Sequence, residues 1–171
     1  MQNPFTLTFG KSPLEPVERP LQTMEIVDTF TAETVNQQMF IITGVQGSGK
    51  TVMMTEIARR LREREDWVVI ELNPATDLLQ GMLAKLNSNK VCAAIIKSAK
   101  IDLSFFGFGV AIEGVPPLTD TETAIITILE KLKKQDKRLL ITIDEVTNND
   151  YMKVFAGSFQ IFVRQDLPVF L

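Results

Sequence analysis

A short glycine-rich run constrains this chain more than any other feature. Residues 44–51 read GVQGSGKT, with glycines at the first, fourth and sixth positions and a Lys-Thr pair at the end. A β-rich run (MFIIT, residues 39–43) precedes it, and an amphipathic helical pattern follows from residue 50 to about residue 64. A strand that leads through such a loop into a helix is typical of an α/β fold with a mostly parallel sheet.

The run matches the phosphate-binding P-loop pattern (Walker A), Gly-x-x-x-x-Gly-Lys-Thr, in full. Its glycines let the backbone turn its N–H groups inward, where they and the helix N-terminus form a cradle for phosphate. Lys50 is predicted to neutralise β- and γ-phosphate oxygens, and Thr51 to offer its hydroxyl to Mg²⁺. The predicted nucleotide-binding residues are Gly44, Val45, Gln46, Gly47, Ser48, Gly49, Lys50, Thr51 and Val52.

A second motif supplies the partner that a P-loop needs. The apolar run LLITI at residues 139–143 is followed by Asp144 and Glu145, as in a Walker B motif. A carboxylate at the end of a neighbouring strand holds Mg²⁺ through its water shell, and Asp144 is in that place. Glu145 can polarise an attacking water as general base. We therefore predict Thr51 and Asp144 as the metal site, and Glu145 and Lys50 as catalytic residues.

The rest of the chain predicts helices alternating with short strands. Helical patterns cover residues 22–37, 75–98 with a break near 87–89, 119–134 and 151–163. A Thr119-x-x-Glu122 capping box opens the pattern at 119–134, and Thr147-x-x-Asp150 precedes the last one. Strand patterns cover residues 67–72 (WVVIEL) and begin again at 167–171. The predicted fold is α/β, a three-layer P-loop sandwich around a mostly parallel sheet.

Two segments are predicted to depart from this alternation. Apolar residues alternate on both sides of Gly107 within residues 101–113, which predicts a small β-hairpin insertion. Its Phe-rich tip fits a partner contact and core packing equally well. Four prolines within residues 1–20 predict an extended arm, so that residues 21–171 form the P-loop core of one domain.

Composition narrows the classes of function. The chain has 21 acidic and 18 basic side chains, a net charge of −3 that argues against a surface devoted to nucleic acid. With no histidine and one cysteine, Cys92, it has no His-based triad, His–metal site or intramolecular disulfide. Cys92 stands in an apolar run and is predicted to be a small core residue. Without a secretory pattern or an apolar run of about 18 residues, the expectation is a cytoplasmic protein with no membrane partner.

Together these motifs resemble a known group. The Asp-Glu pair, with the strand WVVIEL between the two motifs, resembles the additional-strand catalytic-glutamate division of P-loop NTPases. More narrowly it resembles AAA-type ATPases near archaeal origin-recognition and bacterial signal-transduction ATPases. The stretches NPFTLTFGKSP, FIITGVQGSGKT, SFFGFGVAIEGVPP and residues 139–171 are similar to one bacterial branch, so the resemblance covers essentially the whole chain.

The resemblance implies ATP or ADP as the nucleotide and Mg²⁺ as the metal. It also implies that the arm helps to enclose the adenine, with candidates at Phe9, Gly10, Pro13 and Arg19. An arm that only covers the core is the alternative left open.

At the C-terminus the chain departs from that family. Family members continue into a strand with a γ-phosphate-sensing residue, then a further strand and a helical lid with an arginine. The chain stops at Leu171 within the first of these strands, which in the family lies between the P-loop strand and the Asp144 strand. We therefore expect a C-terminally truncated chain that lacks the last strand and the lid, has an unpaired edge beside the P-loop strand, and binds nucleotide better than it hydrolyses it.

The function these features favour is an ATP-binding domain that couples Mg·ATP binding and hydrolysis to a conformational or partner-binding switch. One alternative is a small-molecule P-loop kinase, which the adjacent Asp144-Glu145 pair and the lack of a recognisable substrate lid argue against. Another is a non-catalytic module that uses ATP only to load DNA or to signal. A homo-oligomer and a DNA or protein client are left open as partners.

Overall fold

The computed structural model describes residues 20–109 and 111–171. The predicted arm, with its adenine-enclosing candidates, lies outside the described residues except for Pro20, which begins the first helix. The elements in chain order are α1 Pro20–Thr31, α2 Lys50–Arg62, β1 Trp67–Leu72, α3 Leu78–Ser88, α4 Lys90–Ser98, α5 Thr121–Lys133, β2 Arg138–Ile143, α6 Asp150–Arg164 and β3 Val169–Phe170. The predicted break between two helices falls at Asn89, which caps α4.

The three strands form a parallel sheet in the order β1-β2-β3. β1 and β2 run in register from Trp67 opposite Arg138 to Leu72 opposite Ile143, so their carboxyl ends lie side by side. β3 pairs with the start of β2, with Leu139 opposite Val169. The predicted α/β class with a parallel sheet is confirmed.

The run that leads into the P-loop lies on the other side of β3. The N–H of Phe40 donates to the carbonyl of Leu171 at 2.9 Å, and the N–H of Leu171 donates to the carbonyl of Gln38 at 2.8 Å. Two further bonds of 2.9 Å join the Gln38 amide to the carbonyls of Leu167 and Val169. β3 therefore lies between the P-loop run and the Asp144 strand, the position that the resemblance implied.

Helices cover both faces of this sheet. Alternate strand residues, such as Leu139 and Ile141 of β2, pack with α3, α4, α5 and α6 in one apolar cluster. Leu140 and Phe170 face the other way, into a cluster with Phe30 of α1 and Leu61 of α2. This second cluster fixes α2, and with it the P-loop, against the sheet.

The β-hairpin predicted at residues 101–113 is wrong. No strand occurs in residues 101–109 or 111–113, and a 3₁₀ turn spans Ser104–Phe106 instead. Asp102 is only 2% exposed, and its carboxylate accepts hydrogen bonds from the N–H groups of Ser104 at 2.9 Å and Ile112 at 2.7 Å. Because a buried side chain satisfies these backbone donors, no neighbouring strand is needed to do so.

The three phenylalanines of the Phe-rich stretch differ in burial. Phe105 is 62% exposed, whereas Phe106 and Phe108 pack against the larger cluster. Gly107, with φ 79°, ends the 3₁₀ turn in the left-handed region that favours glycine. One phenylalanine thus faces solvent while two face the core.

The predicted capping box at Thr119 is also wrong. The cap of α5 is Asp120, whose carboxylate accepts the N–H of Thr123 at 2.7 Å. Asp is at least as good a cap as Thr, so the helix begins one position later than predicted. Glu122 instead accepts a hydrogen bond of 2.5 Å from the Ser158 hydroxyl of α6.

The prediction for Cys92 is confirmed, since its side chain is fully buried in the larger cluster. Burial raises the pKa of its thiol to about 12. Within residues 20–109 and 111–171, no helix is both long and apolar enough to cross a membrane.

Candidate nucleotide-binding site

The P-loop joins the run beside β3 to α2, and its glycines have conformations that side chains would disturb. Gly47 and Gly49 have φ values of 78° and 83°, in the left-handed region. A Cβ atom added to Gly44 would lie 2.7 Å from the hydroxyl oxygen of Ser48, closer than real Cβ contacts. Gly47 and Gly49 therefore have backbone conformations that favour glycine, and a side chain at Gly44 would displace the Ser48 hydroxyl.

The N-terminus of α2 is built differently from those of the helices that follow it. Asp or Asn side chains cap α3, α4, α5 and α6, at Asp77, Asn89, Asp120 and Asn149. The cap position of α2 is Gly49, which has no side chain to cap the first N–H groups of the helix. The first N–H groups of a helix are hydrogen-bond donors with a partial positive charge, so this end of α2 suits an anion.

Lys50 adds a full positive charge to the loop. Its Nζ atom donates to the carbonyls of Gly44 and Val45, each at 2.9 Å. The N–H of Ser48 also bonds the carbonyl of Val45, at 3.2 Å. The Lys50 side chain thus folds back over the P-loop and lies beside the N-terminus of α2.

Thr51 and Asp144 meet at the carboxyl end of β2. The Thr51 hydroxyl donates to Asp144 Oδ2 at 2.7 Å, and Asp144 Oδ1 accepts the N–H of Glu145 at 2.9 Å. Both carboxylate oxygens of the half-buried Asp144 are therefore oriented by hydrogen bonds. The structure brings together the two residues that the sequence predicts as a metal site.

Glu145 follows in a left-handed conformation, with φ 53°. For a residue with a Cβ atom this conformation costs about 1–2 kcal/mol, so neighbouring contacts must hold it. Its side chain is exposed, and no other residue described by the structure makes a hydrogen bond or ion pair with its carboxylate.

Two features of this region were not predicted from the sequence. A cavity of about 390 Å³ lies beside Asp144 and is lined by Glu71, Leu72, Asn73, Pro74, Lys85 and Asp144. Asn149, the cap of α6, donates from its amide to the carbonyl of Pro74 at 2.8 Å. Asn73-Pro74 ends a strand pattern in the sequence, which marks the turn, but nothing in the sequence pairs that turn with Asn149.

A family model supplies the assignment. The model of an ATPase domain found predominantly in Archaea matches residues 24–161. The chain belongs to this ATPase family. No curated protein and no solved structure matches the chain significantly. The matched residues include the P-loop, Asp144 and Glu145, so membership in this ATPase family supports nucleotide binding, with ATP as the nucleotide.

Proposed function

We propose that this chain binds Mg·ATP between its P-loop and Asp144, and that Glu145 activates water for hydrolysis of the γ-phosphate. The observation that carries the proposal is the 2.7 Å hydrogen bond from the Thr51 hydroxyl to Asp144. It joins the helix that follows the P-loop to the carboxylate at the end of β2. The groups proposed to bind phosphate and to hold the metal therefore face one another.

The phosphate part of the proposal is supported by the α2 N-terminus. This helix end has no side-chain cap, two glycines of the loop are left-handed, and Lys50 lies beside it. A bound phosphate would accept from the uncapped N–H groups and from Lys50. For that, Lys50 exchanges its bonds to the carbonyls of Gly44 and Val45 for bonds to phosphate oxygens, which carry more charge.

The metal part is supported by the chemistry of Thr51 and Asp144. Mg²⁺ prefers hard oxygen ligands and usually keeps several waters, with nucleotide phosphates completing its shell. Across the described residues, no three His, Cys, Asp or Glu side chains converge on a metal position. Because nucleotide phosphates commonly complete the Mg²⁺ shell, magnesium is expected to bind together with the nucleotide, whose phosphate charge it would neutralise.

Catalysis would depend on Glu145, which lies next to Asp144 with its carboxylate unpaired among the described residues. A carboxylate in this place can take a proton from water as the water attacks. The loop that carries Glu145 ends at Asn149, the cap of α6. A change at Glu145 therefore occurs only a few residues before the start of a long helix. We propose this loop as the route by which the nucleotide state alters conformation or partner contacts.

One observation favours a second candidate, a small-molecule kinase. The cavity of about 390 Å³ beside Asp144 has room for a phosphate acceptor. In that case phosphate would be transferred only when an acceptor is present. Release of free phosphate from ATP without any acceptor distinguishes the ATPase from the kinase.

The proposed binding site is tested by titrating a fluorescent ATP analogue into the wild-type chain and a Lys50→Ala variant. Loss of a charged donor to phosphate is expected to weaken binding about 10- to 100-fold. Lys97→Ala removes an exposed lysine from the last turn of α4 and serves as the matched control, with wild-type affinity expected. Equal affinity in the Lys50 variant and the wild type would place the nucleotide elsewhere.

A further inference from the structure

The loop that carries Glu145 has little burial to hold it. Val146 is 60% exposed, and the neighbouring side chains of Glu145, Thr147 and Asn148 are exposed as well. Apolar packing therefore does not fix the left-handed backbone at Glu145. Hydrogen bonds at the two ends of the loop must do so.

At the start of the loop the anchor is Asp144, held by Thr51 and bonded to the N–H of Glu145. At the end of the loop the anchor is Asn149. Its amide nitrogen donates to the Pro74 carbonyl at 2.8 Å and to the Thr147 hydroxyl at 3.2 Å. Its amide oxygen accepts the N–H of Met152 at 2.8 Å, which caps α6.

Pro74, the hydrogen-bond partner of Asn149, is itself held in place. The side chain of Asn73 accepts the N–H of Ala75 at 2.9 Å, and its carbonyl accepts the hydroxyl of Thr76 at 3.2 Å, so Pro74 lies in a closed turn. That turn follows Leu72, which pairs with Ile143 at the end of β2. Asn149 therefore ties the end of the Glu145 loop to the same sheet edge from which the loop starts.

We propose that Asn149 is a positioning residue for Glu145, acting through the hydrogen bond from its amide to the Pro74 carbonyl. This bond sets where the loop ends, and a loop fixed at Asp144 and Asn149 keeps Glu145 in its left-handed turn. The inference rests on the proposed role of Glu145 as general base. It assigns Asn149 a function beyond that of a helix cap.

Two substitutions separate the positioning role from the cap. Asn149→Asp keeps a side-chain oxygen for the N–H of Met152 but has no donor for the Pro74 carbonyl. Asn149→Ser also keeps a cap and adds no charge. Asn89→Asp is the matched control, because Asn89 caps α4 through bonds from Val91 and Cys92 and its amide nitrogen donates to no described residue.

The experiment measures steady-state ATP hydrolysis and the exchange rate of the Glu145 amide proton by NMR in the 171-residue chain. In both Asn149 variants kcat is expected to fall about 10- to 100-fold, as for a catalytic group displaced by about 1 Å. KM is expected to stay within about twofold, because nucleotide binding is not changed. The Glu145 amide is expected to exchange about fivefold faster, the factor that one hydrogen bond contributes.

The outcomes distinguish this inference from the proposed function. If the Glu145 amide proton exchanges at the wild-type rate in both Asn149 variants, the inference is overturned. Faster exchange of this proton with an unchanged kcat also overturns it. Equal effects in Asn89→Asp also overturn it, because they would reflect a general loss of helix capping. If the wild-type chain releases no phosphate, the proposed hydrolysis fails, and exchange at Glu145 alone decides whether Asn149 positions the loop.

Discussion

The Thr51 hydroxyl donates a hydrogen bond of 2.7 Å to Asp144, although the two residues lie 93 positions apart in the sequence. This contact joins the first turn of α2 to the end of β2. It also orients a hydroxyl oxygen and a carboxylate, both ligand types that Mg²⁺ prefers. The proposed Mg²⁺ site depends on this pair.

Thr51→Ala is therefore expected to remove most of the effect of Mg²⁺ on ATP affinity. Loss of a group that holds or orients a metal typically weakens metal binding about 10- to 100-fold. Calorimetric titrations with Mg²⁺ and with EDTA measure the effect. Thr51→Ser keeps the hydroxyl and is expected to behave as the wild type. An unchanged Mg²⁺ effect in Thr51→Ala would remove Thr51 from the metal site.

Glu145→Gln is expected to bind ATP with wild-type affinity but to lose hydrolysis, because glutamine cannot accept the proton of the attacking water. General bases contribute about 100- to 10,000-fold in rate, so kcat should fall by at least about 100-fold. Phosphate release and a binding titration on the same sample measure both quantities. Glu130→Gln, an exposed change on α5, is the control. Normal hydrolysis by Glu145→Gln would show that the base is another group.

The stability of the fold is expected to depend on the ionisation of Asp102 at low pH. Hydrogen bonds from the Ser104 side chain, from the N–H of Ile112 and from the N–H of Ser104 lower the pKa of its carboxyl from the ordinary value of 3.8. A lowered pKa stabilises the folded state above the ordinary value, and this contribution is lost as the pH falls through the folded-state pKa. Thermal melts of the wild type should therefore show a loss of stability below about pH 4.

Asp102→Asn is expected to lower the melting temperature at pH 7, since an amide offers one acceptor oxygen where the carboxylate offers two to Ser104 and Ile112. The gap between variant and wild type should narrow as the pH falls from 5 to 3. A gap that stays constant over this range would show that ionisation of Asp102 does not stabilise the fold.

Among the residues of the smaller cluster, Phe30 is expected to contribute most to the free energy of unfolding. It is 1% exposed, and its ring lies against those of Phe40, Trp67 and Phe170. Phe30→Ala should lower the free energy of unfolding by about 3–5 kcal/mol. Phe105→Ala, at the exposed aromatic ring, should change it by no more than about 0.5 kcal/mol. Urea unfolding of both variants measures the difference, and equal effects would contradict the packing described here.

The Cys92 thiol is expected to be inert in the folded chain. Its burial and a pKa of about 12 leave almost no thiolate at neutral pH. A thiol-reactive dye should label it only when urea unfolds the protein, and rapid labelling of the native chain would show that α4 opens readily.

Much of the site could be predicted from the sequence because its parts are local patterns. A glycine-rich run before a helix and two acids after an apolar strand each require a defined spacing, and residues 44–51 and 139–145 have it. The parallel sheet follows as well, since it is the arrangement that places both motifs at one edge. The structure brings Thr51 and Asp144 together as that reasoning expects.

The features that could not be predicted depend on contacts between distant residues. Alternating apolar residues predict a hairpin at 101–113, but the backbone donors there are satisfied by the buried carboxylate of Asp102. The bond from Asn149 to Pro74 spans 75 positions, and an Asn before a helix indicates only a cap. Sequence patterns show what a side chain can do locally, whereas its long-range partner depends on the folded sheet.

The central claim is that the folded chain binds Mg·ATP at the P-loop. Isothermal titration calorimetry of the wild-type chain with ATP tests it most directly, with Mg²⁺ in one titration and EDTA in the other. We expect saturable binding of one ATP per chain, which EDTA weakens by about tenfold or more. A chain that is folded by circular dichroism but shows no saturable binding of ATP in the presence of Mg²⁺ would contradict it.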